Sequence, residues 1–198
     1  IAFDLIGPLP ATNREHRFVL VGVDLFSKRI YADPLTSKTP ETILSCVERI
    51  VFGNPIMPKT ILTDNGSEFS QIKVFCENFG VRHSTSPAYH PQTNGAVERM
   101  NQTLKQRLFE SGGEHTWDAR LQRTLHAING SPNQVTKMSP FLVETGFSGR
   151  NAFDHVEQTA SDPGDLQQLH SEALRRIRDE KQARVEKGQK SNFRPKID

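Results

Sequence analysis

Three carboxylates stand where their spacing can do chemistry. Asp64 ends a short apolar run, Thr60-Ile61-Leu62-Thr63, and Glu98 opens a helical run with apolar residues at 97, 100, 104 and 108. Asn65-Gly66 is turn chemistry, so Asp64 sits at a strand's C-terminal edge, where open α/β sheets build their sites. Along the helix Glu98, Asn101 and Lys105 lie three, four or seven residues apart and share one exposed stripe. An acid, an amide and a cation so arranged can meet a metal and a phosphate backbone together. The third acid, Asp4, interrupts the apolar run Ile1 to Ile6 on the opposite strand face from Phe3 and Leu5. A carboxylate inside a buried strand is costly unless it holds a charge partner. A hard cation such as Mg²⁺ takes oxygen ligands, and two of them about 3.5 to 4 Å apart stabilise both oxygens of an in-line displacement.

The elements that must position these acids are legible from periodicity. Strands are expected at Ile1 to Ile6, Phe18 to Asp24 and Arg29 to Leu35, an antiparallel meander. Thr39 caps a helix with Pro40 at its first position and Ile43, Leu44, Val47 and Ile50 on its buried face. A fourth strand delivers Asp64, a helix spans Gln71 to Phe79, and a fifth strand runs from Val81 to Ser84. The stretch Ser84 to Asn94 reads as a loop against the site, bounded by Pro87, Pro91 and Gly95. Its Tyr89, His90, Gln92, Thr93 and Asn94 offer a stacking ring and amides able to hold a DNA end or a phosphate, or a polar surface that touches nothing. Glu114 to Asn129 forms a helix with Trp117, Leu121, Leu125 and Ile128 inward, and Ser139 caps a short one ended by Gly146. The order gives an α/β fold, a mixed five-stranded sheet flanked by helices, with a C-terminal helical extension. Residues 1–150 form the core, 151–165 a linker, and 166–190 a basic amphipathic helix with Leu166, Leu169, Ala173 and Ile177 on one stripe.

FDLIGPLP, VGVDLFSK, TDNGSEF, YHPQTNGAVERMNQTL and TKMSPFLVETG resemble, in order, the catalytic core of retrotransposon integrases of the Ty3/gypsy group, relatives of the retroviral integrases. The resemblance runs from Ile1 to Gly146. It implies a ribonuclease-H-like fold, Asp4, Asp64 and Glu98 as catalytic and metal-binding acids, and Mg²⁺ as cofactor with Mn²⁺ able to substitute. It nominates Tyr89, Gln92, Asn94, Asn101 and Lys105 for gripping the element's DNA end. It also implies element and target DNA as partners, a dimer or tetramer, a host tethering protein, and action in the nucleus after a cytoplasmic pre-integration particle. One departure stands out: Asn65 to Val97 is slightly shorter than the family's usual interval, the shortfall falling around Ser70 to Val74. The family's N-terminal zinc module and small C-terminal β domain lie outside this sequence, which reads as a fragment. An RNase H or junction-type nuclease, or a domesticated domain that only binds DNA, are the competing readings.

Charge and composition narrow the classes. The net charge of +2 divides into +4 over residues 166–198 and −2 over 1–165, so the core is not a basic protein. No run approaches the ~20 apolar residues of a membrane span. Cys46 and Cys76 lack metal spacing, and no CxxC or HxxxH pair is present, so no zinc site is expected in this segment. A nucleophile motif and a P-loop are also missing, consistent with metal-dependent transesterification. Asp24 reads as a turn cap, Asp33 as a solvated strand residue, and Glu68 as a loop or supporting residue rather than a ligand.

Overall fold

The computed structural model describes residues 1–54, 56–85, 91–110, 112–147 and 165–192, with the side chains of 91–96 and 187–192 excepted. Five strands form one mixed sheet in the order β3-β2-β1-β4-β5. β1 (Ala2–Ile6), β2 (Phe18–Val23) and β3 (Ile30–Leu35) are the expected meander, with Asp4 opposite Val21. β4 (Thr60–Thr63) lies parallel to β1, Ala2 opposite Leu62, and β5 (Arg82–Thr85) parallel to β4. Parallel neighbours need crossovers; α1 (Pro40–Phe52) and α2 (Ile72–Asn78) supply them.

Alternation along each strand builds two cores. Ala2, Ile6, Val19, Val21 and Val23 pack with Val97, Leu104 and Leu108 of α3 (Pro91–Phe109) and with Trp117 and Leu121 of α4 (Trp117–Gly130). Phe3, Leu20, Leu35 and Ile61 pack on the other face with Ile43, Cys46 and Val47 of α1 and Ile72, Phe75 and Cys76 of α2. Asp4 alternates with the first set, and so faces α3. Gly22 lies opposite Phe3, and a side-chain carbon there would stand 2.9 Å from the Phe3 ring. That strand position has room for no side chain.

Local chemistry accounts for the boundaries. The Thr39 hydroxyl accepts from the Thr42 N–H and Pro40 starts α1, as the sequence predicts. Its buried face is Ile43, Cys46, Val47, Ile50 and Val51; Leu44, expected there, is half-buried because the face is turned toward Cys46 and Val51. β5 begins one residue later than predicted. The larger correction is α3, which starts at Pro91, inside the expected loop, since proline at a helix's first position forfeits no hydrogen bond. Asp33, read as solvated, pairs with Arg49 at 3.1 Å.

Compact packing divides the chain into Ile1–Leu25 with Arg29–Ile128, which contains the sheet, and Phe26–Lys28 with Asn129–Asp198. In the second unit, α5 (Pro140–Thr145) is capped by the Ser139 hydroxyl and ended by Gly146 in the left-handed region, as expected. α6 (Leu166–Asn192) sets Leu169 and Ala173 against Met138, Leu142 and Val143. Leu166, expected on that stripe, is exposed. All but the last residue of the linker expected over 151–165 lies outside the described residues. Among the described residues, no helix is long and apolar enough to cross a membrane.

Candidate active site

Asp4 is held from both sides. Its Oδ1 accepts the Leu5 N–H at 2.8 Å and its Oδ2 accepts Asn101 Nδ2 at 2.6 Å. Burial pushes its carboxyl above the usual carboxylate range, and the negative charges of Asp64 and Glu98 add to the rise; the bonds from Leu5 and Asn101 oppose it. The charges of two acids far apart from Asp4 in sequence thus reach its carboxyl.

Asp64 leaves the end of β4. The preceding Thr63 is buried and its hydroxyl bonds His83 Nε2 on β5 at 3.0 Å, tying the strand end down. The Asp64 side chain is exposed, and its Oδ1 accepts the Gly66 N–H at 2.9 Å. A 3-10 turn, Ser67–Phe69, follows, and its buried Phe69 fixes the turn to the core. Glu98 is exposed on α3 directly after the buried Val97. None of the three acids lines the groove of about 320 Å³ between α2 and β5, whose lining includes Lys73, Cys76 and His83.

The expected exposed stripe of α3 divides. Glu98 and Lys105 are exposed, whereas Asn101 is buried and spends its N–H on Asp4. Its signal was present in the sequence: positions 97, 101, 104 and 108 form a helical stripe, and the other three are apolar and buried. A single amide on an apolar stripe seeks a polar partner across the packing interface. Tyr89 lies outside the described residues. Gln92 and Asn94 lie on the backbone of α3, with side chains outside the description.

Among the described residues, no three His, Cys, Asp or Glu side chains converge, as they stand, to hold one ion. The donor set nonetheless suits a hard cation. It is all carboxylate oxygen, Asp4 is fixed, and the exposed Asp64 and Glu98 have the rotamer freedom to turn toward it. The buried Asn101 Oδ1 has no hydrogen-bond partner, which water carried by a cation would satisfy. The cysteines offer no competing chemistry: burial, helped by Asp33, pushes the Cys46 thiol up to about 12.

Residues 3–91 match a family described as Integrase core domain, a span that includes Asp4 and Asp64 and stops before Glu98. That segment belongs to the integrase core family. The chain is 28% identical, over 86% of its length, to a retrovirus-related Pol polyprotein from transposon 412 of Drosophila melanogaster. It is 30% identical, over 76% of the chain, to the Pro-Pol polyprotein of simian foamy virus type 3. The chain spans 13% of the length of each polyprotein. The solved catalytic core domain of BIV integrase shares the fold, with a TM-score of 0.58 over 72% of this chain and 90% of that one, at 23% identity. The mixed five-stranded sheet flanked by helices is thus the ribonuclease-H-like integrase core architecture.

Proposed function

We propose that this chain is the catalytic core of a retrotransposon integrase, a polynucleotidyl transferase that processes element DNA ends and joins them to target DNA. The observation that carries the reading is Asp4, locked between a strand N–H and the Asn101 amide and within reach of the charges of Asp64 and Glu98. These three acids would hold Mg²⁺, or Mn²⁺ in its place, and bound divalent cations supply Lewis-acid stabilisation of the oxygens at a reacting phosphodiester. Asp4 contributes a fixed oxygen, because both of its carboxylate oxygens accept hydrogen bonds. Asp64 and Glu98 contribute mobile ones at the rim, where a duplex has access. Lys105, exposed two turns along α3 from Glu98, would neutralise a backbone phosphate. Tyr89, Gln92, Asn94 and Asn101 remain assigned to the DNA end by resemblance, with Asn101 also serving Asp4.

Concerted joining of two DNA ends calls for a dimer or tetramer, and chromosomal DNA as target places the reaction in the nucleus, with a host tethering protein as partner. The deciding experiment is a strand-joining assay on a branched DNA that mimics the joined product. Reversal in Mg²⁺ or Mn²⁺ that disappears in Glu98→Gln is the expected result. Hydrolysis without joining replaces the reading with a nuclease; a folded, DNA-binding chain with neither activity replaces it with a binding domain.

A further inference from the structure

Glu68 stands beside the acids without having been assigned to them. The turn Ser67–Phe69 carries it, and the buried Phe69 next to it prevents the turn from drifting outward. Its side chain folds back over Gly66: a side-chain carbon on that glycine would stand 2.6 Å from Glu68 Oε2 and 3.0 Å from Asp64 Oδ1. Two carboxylates therefore close over one point, with only a glycine's hydrogen below them. The Gly66 N–H already serves Asp64, and no described residue donates to or pairs with Glu68. Like charges in this arrangement repel unless a cation lies between them. A glutamate has the length to turn into solvent instead. Beside Asp4, the Asn101 amide, 8% exposed, donates to that carboxylate and leaves its own Oδ1 with nothing to accept from. That orphaned acceptor independently calls for a donor, which a hydrated cation brings.

We infer that Glu68 is a fourth acid of the site, which helps Asp64 hold a hydrated divalent cation. The inference rests on the metal-dependent reading above and adds a residue to it. Glycine at 66 is required because any side chain there would displace the Glu68 carboxylate from Asp64.

The test is a calorimetric Mn²⁺ titration of the full chain, with melting followed in parallel in EDTA. Wild type, Glu68→Gln and Glu77→Gln are compared, the last neutralising an exposed acid on α2. Glu68→Gln weakens Mn²⁺ binding about tenfold, the scale expected of a supporting ligand, and leaves the melting temperature in EDTA unchanged or higher. Glu77→Gln alters neither. Mn²⁺ binding unaffected by Glu68→Gln overturns the inference, as does a lowered melting temperature in EDTA, which would make Glu68 structural. Metal affinity is read without DNA, so a chain whose Mn²⁺ site depends on Glu68 but which neither joins nor cuts DNA keeps this inference and loses the transferase reading.

Discussion

Asn101 shows how one side chain serves fold and site together. It occupies the buried stripe of α3, yet among the described residues its amide is the only side-chain group that bonds Asp4. Asn101→Leu keeps the volume and suits the apolar stripe while removing the donor, so the chain stays folded and Asp4 is free to rotate. Metal-dependent strand transfer then falls by 10- to 100-fold, the usual cost of losing a residue that orients a ligand. Paired melting and activity measurements check this. A melting temperature that falls in step with activity would mean the amide served the core alone. The stripe of α3 could have turned Asn101 inward, but the 97-residue separation of the pair hid its partner Asp4 from any local pattern.

Strands and helices turn these residues into a site through registers that leave little slack. β1 places Asp4 toward α3 only because Phe3 faces the opposite way, over Gly22 of β2. Gly22→Ala inserts a carbon 2.9 Å from the Phe3 ring, so either the ring or β1 must move. Overpacking of this kind costs about 1–3 kcal/mol, and chemical denaturation measures it. Activity falls further than stability, because the strand that yields carries Asp4. The meander of β1 to β3, the cap at Thr39 and the end at Gly146 were all legible, since each follows from a pattern local in the sequence. The start of α3 was not. Pro91, Asn94 and Gly95 favour loops in isolation, and the decision to continue the helix back to Pro91 belongs to the packing of Val97, Leu104 and Leu108 on the sheet.

The molecule's stability carries the site's electrostatics with it. Burial of Asp118 acts to raise its carboxyl, but the bonds from His16 Nδ1 at 2.8 Å, the Ala119 N–H and the Thr12 hydroxyl outweigh it and hold the carboxyl below its usual value. The unfolded chain therefore binds more protons at Asp118, and this stabilisation is present above the ordinary aspartate value of 3.8 and lost as pH falls through the lowered folded value. Asp4 has the opposite sign: its raised folded value means a penalty that is absent below 3.8 and fully present above the folded value. Asp118→Ala should thus lose about 1–3 kcal/mol at neutral pH, a deficit that shrinks as the medium turns acidic. Urea unfolding across pH reads it. A deficit constant with pH would mean that packing, not the charged hydrogen bonds, was lost.

By itself the sequence determined the succession of strands and helices along the chain and nominated the three acids and a class of chemistry, because apolar periodicity and turn residues are local and the motifs stand in one order. The tertiary structure decided what local patterns leave open. It turned Asn101 inward onto Asp4, gave Asp33 to Arg49, began α3 at Pro91 and folded Glu68 back beside Asp64. The physical reason is common to all four. A polar residue's neighbours are chosen by which elements pack together, and periodicity fixes the face of an element without naming what lies across from it.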